Sequence, residues 1–141
     1  LSKDQFDTSV NNNLGTVFNC LRYASPMLED GSNVVVVGSI VGSMGGRGCS
    51  SYAAGKAGLV GLVRSVALEW ASRDICVNLL ELGYINAGMG ARLPDKLKSR
   101  INATIPLGKF GSEWDFVEAV KFLLKTRYMT GNVLTLAGGL R

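Results

Sequence analysis

Four consecutive valines at positions 34–37 are the feature that most restricts how this chain can fold. Turn-forming residues bound the run, with Asn33 before it and Gly38 after it. An unbroken β-branched run of this kind is typical of a strand that is covered on both faces, as in a parallel sheet. The valine run therefore predicts a buried strand of an α/β fold.

Helical and strand-like segments alternate on both sides of this run. Apolar residues recur at steps of three and four over residues 2–28, which predicts an amphipathic helix that Ser2 caps together with Gln5. Further helices are expected over residues 52–72, 94–103 and 113–124, the last capped by Ser112, and further strands over residues 75–80 and 133–136. Such alternation predicts βαβ units and a doubly wound parallel sheet with helices on both faces.

The number of strands is too small for a complete sheet of this type. The valine strand keeps one apolar edge without a partner, and an exposed edge of this kind favours aggregation. The chain begins with Leu1 and shows no signal peptide. We therefore interpret residues 1–141 as a single domain that forms the carboxyl-terminal part of a longer protein.

Composition excludes several classes of protein. The 141 residues contain no histidine, which rules out a His-dependent catalytic triad. The three cysteines are widely spaced, so we expect neither a zinc site nor a disulfide framework. The net charge is only +4, and a nucleic-acid face is not expected. No apolar stretch is long enough for a bilayer, and we expect a cytoplasmic protein. The basic residues form one loose cluster, namely Arg92, Lys96, Lys98 and Arg100.

Three polar residues are placed to carry out chemistry together. Tyr52 and Lys56 are four residues apart at the start of a predicted helix, so their side chains share one face. Ser39 follows the valine strand, and open α/β sheets bind ligands beyond the carboxyl ends of their strands. A nearby ammonium stabilises a phenolate and lowers the pKa of a phenol. Tyr52 would then protonate a carbonyl oxygen that Ser39 holds by a hydrogen bond.

Ser39, a glycine-rich loop, and the Tyr52-x-x-x-Lys56 pair together resemble the active-site pattern of the short-chain dehydrogenase/reductase family, whose fold is Rossmann-like. The segment GSIVGSMGGRGCSSYAAGKAGLVGLVRSVALEWASRDICVN is most like the 3-oxoacyl-[acyl-carrier-protein] reductase branch. This resemblance covers essentially the whole chain. It implies an NAD(P)-dependent reductase of ketones, with a small-molecule or acyl-carrier-bound 3-oxoacyl thioester as substrate, in fatty acid biosynthesis. It also implies a homo-oligomer, either a dimer or a tetramer.

The resemblance assigns roles to further residues. Asn13 matches the catalytic asparagine, which bends a helix and supports the proton relay through the active-site lysine. Three asparagines in a row, at 11–13, also fit a simple interruption of a helix. Gly83 and Ile85 match the segment that contacts the nicotinamide, and Tyr52 and Lys56 would also contact the cofactor, with Lys56 on the ribose. The resemblance implies NADP or NAD as the cofactor. It leaves the choice between them open, because the family residue that distinguishes them lies before the segment that this chain matches.

The chain departs from the family pattern at several positions. Leu82 replaces the usual proline, Ala87 a threonine and Ala137 an aspartate, and the glycine-rich pyrophosphate loop is absent from these residues. These changes affect the grip on the cofactor more than the proton transfer. They also support an alternative, in which the protein is a catalytically impaired homologue that acts as a structural partner subunit.

Three further features lead to expectations about packing and binding. Small residues such as Gly55 and Gly58 recur along the predicted 52–72 helix, where each glycine costs about 1 kcal/mol relative to alanine, so another helix or a ligand should approach closely. Residues 86–94 would form a mobile lid over the substrate. The resemblance implies that Arg73 helps to dock an acidic carrier; the alternative is a solvated arginine at a helix end.

Overall fold

A three-stranded parallel sheet organises the chain, which a computed structural model describes from Leu1 to Arg141. Strands β1 (Asn33–Ser39), β2 (Cys76–Leu82) and β3 (Val133–Leu136) lie side by side in that order. In β1, Asn33 lies opposite Cys76 and Ser39 opposite Leu82, while β3 pairs with residues 79–82. The strands run in the same direction, so their carboxyl ends meet at one edge. The prediction of a parallel sheet with three strands is confirmed.

The amino-terminal helical region is interrupted where the sequence has three consecutive asparagines. Helix α1 (Lys3–Val10) begins with the predicted capping box, in which the Ser2 hydroxyl accepts a hydrogen bond from the Gln5 amide at 3.2 Å. A π-helical turn (Asn11–Gly15) follows and leads into α2 (Thr16–Ala24) and a 3₁₀ turn (Ser25–Met27). The helix expected over residues 2–28 is therefore interrupted at the three asparagines, as the sequence allowed, and the interruption is π-helical. Single π-helical turns are frequent at functional sites.

The remaining helices follow the predicted order, with two differences. Helix α4 (Ser50–Trp70) begins two residues before Tyr52, and part of the glycine-rich segment predicted as a loop is a short helix, α3 (Val41–Met44). Ser112 caps the last helix as expected, because its hydroxyl accepts a hydrogen bond from the Asp115 amide at 3.2 Å. The other elements are a 3₁₀ turn (Ala71–Arg73), α5 (Gly88–Ala91), α6 (Asp95–Asn102) and α7 (Glu113–Lys125).

The central strand β2 forms the core of the fold. Val77 and Leu79 are fully buried in one cluster with Leu59 and Val63 of α4. Side chains alternate along a strand, so Leu80 faces the other side of the sheet, where it is also fully buried. Each such aliphatic side chain contributes about 1.5–3 kcal/mol when it is removed from water. Both faces of β2 are therefore covered, and this strand gives rigid support to the edge at which the strands end.

Strand β1 lies at the border of the sheet and pairs with β2 alone. Val36 is buried, but Val37 is 41% exposed. The prediction that the valine run is covered on both faces is therefore wrong at Val37. The physical reason is that an edge strand lacks a neighbour on one side, and Val37 opens into a cavity described below. The predicted unpaired edge is confirmed.

Arg73 holds the chain that enters β1. Its guanidinium donates to the Asp30 carboxylate at 2.8 Å, to the Ser25 carbonyl oxygen at 2.9 Å and to the Leu28 carbonyl oxygen. Arg73 is thus not a freely solvated arginine, because three of its five N–H donors are used within the chain. None of the helices combines the length and apolar character needed to cross a membrane.

Candidate active site

A cavity of about 460 Å³ lies at the carboxyl edge of the sheet. Five of the residues that the sequence nominated line it together: Ser39, Tyr52, Lys56, Gly83 and Ile85. The rest of the wall is largely apolar and comes from the ends of β1 and β2 and from the segment that follows β2. These residues are Val37, Gly38, Ile40, Val41, Leu82, Tyr84, Ala87, Met89, Gly90 and Leu93.

Ser39 is the last residue of β1, and the sheet fixes its position. The amide of Ile40 donates to the Leu82 carbonyl oxygen at 3.0 Å, which extends the pairing of the two strands beyond Ser39. The Ser39 hydroxyl oxygen accepts a hydrogen bond from the Val41 amide at 3.3 Å. The hydroxyl hydrogen has no acceptor within the chain, so Ser39 can donate it to a ligand in the cavity.

Tyr52 and Lys56 lie one turn apart near the start of α4. The Lys56 ammonium nitrogen is 5.7 Å from the centre of the Tyr52 ring. Burial lowers the pKa of Lys56, and no carboxylate forms an ion pair with it to offset that effect. The Lys56 ammonium therefore lies beside the phenol ring with no carboxylate paired to it.

Helix α3 holds this part of α4 in place through a close backbone contact. A Cβ atom on Gly42 would lie 2.8 Å from the backbone of Lys56 and Ala57, a distance that only glycine permits. The next residue, Ser43, donates a hydrogen bond to the Glu81 carboxylate at 3.2 Å. The short helix thus connects the lysine segment of α4 to the central strand.

Glu81 is a residue whose part in the site the sequence analysis missed. It is 3% exposed in β2, and its carboxylate accepts hydrogen bonds from Ser43 and, at 3.5 Å, from the Thr135 hydroxyl of β3. The available signal was that Glu81 is the only charged residue of β2. Buried carboxylates are rare without hydrogen-bonding partners, and here two hydroxyls from separate elements supply them.

Asn13 does not reach the cavity. Its side-chain amide donates to the carbonyl oxygen of Ser9, in the last turn of α1, at 2.9 Å, and it borders a separate polar depression beside α1. Asn13 packs instead against α4, where a Cβ atom on Gly55 would lie 2.9 Å from the Cβ of Asn13. The predicted close approach at the small residues of α4 is confirmed, and the approaching element is the amino-terminal helix.

A second depression of about 500 Å³ lies between α1, the π-helical turn and α4. Its wall is mostly apolar and contains none of the nominated site residues. Asp7 is the only ionisable side chain in it. It has the character of a packing surface, and the cavity at the sheet edge is the candidate active site. The apolar side chains are Phe6, Val10, Leu14, Phe18 and Leu62.

The fold and the position of the cavity define the class of protein. It is a Rossmann-like α/β protein with its candidate ligand site at the carboxyl edge of a parallel sheet. A family model described as "Enoyl-(Acyl carrier protein) reductase" matches residues 1–141. The chain is 38% identical over 144 residues to the 3-oxoacyl-[acyl-carrier-protein] reductase of Staphylococcus aureus. This match covers 99% of the chain and 58% of that relative. The chain belongs to the short-chain dehydrogenase/reductase family.

Solved structures agree with this assignment. The 3-hydroxyacyl-CoA dehydrogenase type-2 of Mycobacterium avium superposes with a TM-score of 0.90 at 27% identity, covering 100% of this chain and 58% of the other. A blue fluorescent protein from a metagenomic library, crystallised with NADPH, gives a TM-score of 0.88 at 28% identity, covering 99% of this chain and 57% of the other. The chain therefore spans little more than half the length of the proteins that it matches.

Proposed function

We propose that the full-length protein is an NAD(P)-dependent oxidoreductase that reduces the ketone of a 3-oxoacyl thioester to an alcohol. The observation that carries this proposal is the convergence of Ser39, Tyr52 and Lys56 on one apolar cavity at the carboxyl edge of the sheet. The similarity to the 3-oxoacyl-[acyl-carrier-protein] reductase of Staphylococcus aureus supports the thioester as substrate.

Each polar group has a distinct task in this reaction. The substrate carbonyl oxygen accepts a hydrogen bond from the free hydroxyl hydrogen of Ser39, and Tyr52 transfers its phenolic proton to the same oxygen. Lys56, 5.7 Å from the ring centre, stabilises the negative charge that develops on the phenol oxygen. A bound nicotinamide supplies the hydride to the carbonyl carbon.

The cavity fits the nicotinamide-ribose half of either cofactor, NADP or NAD. The Tyr52 hydroxyl and the Lys56 ammonium suit the hydroxyl groups of a ribose, and the largely apolar wall that includes Gly83 and Ile85 suits an aromatic ring. The chain spans 58% of its relatives, and we assign the pyrophosphate site to the remaining part of the protein. In this proposal residues 1–141 are the carboxyl-terminal part of one dinucleotide-binding domain.

Asn13 takes a supporting role in the proposal. Its contact with Gly55 places it against the turn of α4 that carries Lys56, the next residue along the chain. Asn13 then supports the proton relay through the lysine rather than by touching the substrate. This assignment agrees with the separation of Asn13 from the cavity.

We also infer that the protein forms a homo-oligomer and works in the cytoplasm. Phe18, in the apolar depression between α1 and α4, is 49% exposed, and a second copy of the chain would remove such side chains from water.

The cysteines support the cytoplasm as the compartment. Cys20, Cys49 and Cys76 are all free thiols, which suits a reducing compartment.

The alternative function is that of a structural partner subunit without activity of its own. Leu82 and Ala87 line the cavity at positions where the family usually has a proline and a threonine, so the grip on the cofactor is the weakest part of the enzyme hypothesis. The proton-transfer residues are intact, and for this reason we favour the enzyme.

The test is NADPH oxidation with an acetoacetyl thioester, measured for the full-length protein, for Tyr52→Phe and for Tyr128→Phe. Tyr128 is fully exposed and serves as the matched control. Loss of the phenolic proton in Tyr52→Phe should lower kcat by about 10²–10⁴-fold, and Tyr128→Phe should leave it unchanged. A wild-type protein that is inert but associates with an active reductase would support the partner role instead.

A further inference from the structure

Two basic side chains without ion pairs adjoin the segment that supplies one wall of the cavity. Arg92 is exposed, ends α5 and precedes Leu93, a residue of the cavity wall. Lys98 belongs to α6, and its ammonium lies 3.5 Å from the side-chain oxygen of Asn86. Asn86 stands between Ile85 and Ala87, which both line the cavity. The two cations thus border the segment that forms one wall of the site.

The bonds of Lys98 hold its ammonium next to the backbone that leads into Arg92. Its ammonium donates to the Ala91 carbonyl oxygen at 2.8 Å, and that carbonyl belongs to the peptide that leads into Arg92. Both protein partners of Lys98 are neutral oxygens. Neither Lys98 nor Arg92 has a carboxylate within 4.0 Å. Cationic side chains without a counter-ion in the chain are free to attract an anion from outside it.

We propose that Arg92 and Lys98 bind the phosphate of the carrier arm of a thioester substrate. This inference rests on the proposed function, because it assumes that an acyl thioester occupies the cavity. The acyl group and its ketone would enter the apolar part of the cavity towards Tyr52. The arm beyond the thioester sulfur would then leave past the wall formed by residues 85–93, where the two cations stand. Arginine and lysine are the side chains that most often bind phosphate oxygens.

Arg73, the residue that the resemblance implied for carrier docking, differs from Arg92 and Lys98 in having an ion pair within the chain, with Asp30. Its guanidinium is already bonded to Asp30, Ser25 and Leu28 within the chain. The proposed anion site therefore lies beside the cavity wall rather than at the helix end that precedes β2. An anionic substrate bound beside Arg92 and Lys98 would contact residues next to the 85–93 segment, which also forms part of the cavity wall.

The experiment compares two probes that differ by one phosphate, acetoacetyl-4′-phosphopantetheine and acetoacetyl-pantetheine. Their dissociation constants are measured by calorimetry on the full-length protein, on Arg92→Gln and on Arg92→Gln/Lys98→Gln. Lys96→Gln is the control, since it removes the same charge from α6 and lies about 200° around the helix from Lys98. Lys98→Arg keeps the charge and should keep the affinity. The NADPH dissociation constant is measured for every variant.

The wild-type protein should bind the phosphorylated probe more tightly than the other. Arg92→Gln should weaken that binding about two- to fivefold, the double variant more, and added salt should weaken it in the wild type. The unphosphorylated probe, NADPH and Lys96→Gln should show no change. A wild-type protein without preference, a preference that survives the double variant, or an effect on NADPH in place of the thioester would overturn the proposal.

The same titrations separate this proposal from the proposed function. If acetoacetyl-pantetheine is reduced in a Tyr52-dependent manner but the phosphate brings no gain, only the phosphate site is wrong. If neither probe binds to the protein, the thioester function and the phosphate site fail together. Tyr52→Phe should lose turnover and keep the preference for the phosphorylated probe, because proton transfer and phosphate binding use different residues.

Discussion

The ammonium of Lys56 stands 5.7 Å from the centre of the Tyr52 ring, one turn along the same helix and beside the same cavity. Backbone contacts on both sides fix this relationship. Gly42 of α3 lies against the backbone of Lys56, and Asn13 lies against its neighbour Gly55. The sequence therefore encodes the position of the pair through small residues as well as through the pair itself.

Lys56 should give the protein a defined dependence of stability on pH. Burial lowers the pKa of Lys56 below its usual value of 10.5, so between these two values the folded protein binds fewer protons there than the unfolded chain. Below the lowered pKa the buried charge destabilises the fold in full, and this cost is relieved as the pH rises towards 10.5. Relative to Lys56→Met, the wild type should thus gain unfolding free energy between pH 7 and pH 10. The gain should stay below about 1 kcal/mol, because solvent screens a half-exposed charge.

Urea unfolding of both full-length proteins across this pH range measures the difference. Lys125→Met is the matched control, because Lys125 lies on α7 outside the cavity and forms no ion pair. Its difference from the wild type should not vary with pH. A wild type that loses stability relative to Lys56→Met as the pH rises would contradict the burial of the ammonium.

Two glycines of α4 should respond to alanine in opposite directions. Gly55→Ala would place a Cβ 2.9 Å from the Cβ of Asn13, and such overpacking costs about 1–3 kcal/mol. Gly61 is exposed in the same helix and has open space around it, so Gly61→Ala should stabilise the protein by up to about 1 kcal/mol. Thermal unfolding of the two variants tests this. Equal effects would mean that α1 and the π-helical turn do not pack on α4 as described.

Glu81 should matter for stability through its hydrogen bonds. Glu81→Ala removes the acceptor of the Thr135 hydroxyl and one of two acceptors of the Ser43 hydroxyl, the other being the Ile40 carbonyl oxygen at 3.1 Å. A loss of about 0.5–1.5 kcal/mol is expected from urea unfolding. Glu81→Gln keeps an acceptor oxygen and should lose less. If the alanine variant were as stable as the wild type, Glu81 would not link α3 to the sheet.

Ser39 should act on turnover rather than on the fold. Ser39→Ala removes a hydroxyl hydrogen that has no acceptor within the chain and that the proposed mechanism assigns to the substrate oxygen. On that proposal, kcat for an acetoacetyl thioester should fall about 10²–10³-fold. Ser39→Thr keeps a hydroxyl and should recover much of the rate. Circular dichroism checks that both variants fold. An alanine variant with wild-type kcat would remove Ser39 from the mechanism.

Much of the fold could be predicted from local patterns. The valine run identified β1, and Ser2 and Ser112 marked the starts of α1 and α7 because capping is a local interaction. The π-helical turn at Asn11–Gly15 and the four-residue α3 could not be found, because neither is long enough to produce a periodic pattern. The exposure of Val37 depends on which strands flank β1, and a pattern within one segment does not carry that information.

The candidate site shows the same division. Local sequence features were sufficient to predict that three residues line one cavity. These features are the spacing of Tyr52 and Lys56 and the position of Ser39 after a strand. Asn13 belongs to another element, and its separation from the cavity depends on how two helices pack. The contacts of Glu81 join residues up to 54 positions apart, which no local pattern reveals.

In the proposed mechanism Tyr52 and Ser39 share one substrate oxygen, and a crystal structure can show whether they do. The full-length protein would be crystallised with NADP and a 3-hydroxybutyryl thioester, the product of the proposed reaction. The account predicts that the hydroxyl oxygens of Tyr52 and Ser39 both lie within about 3.2 Å of the 3-hydroxyl oxygen. A thioester bound with that oxygen away from both side chains would contradict it.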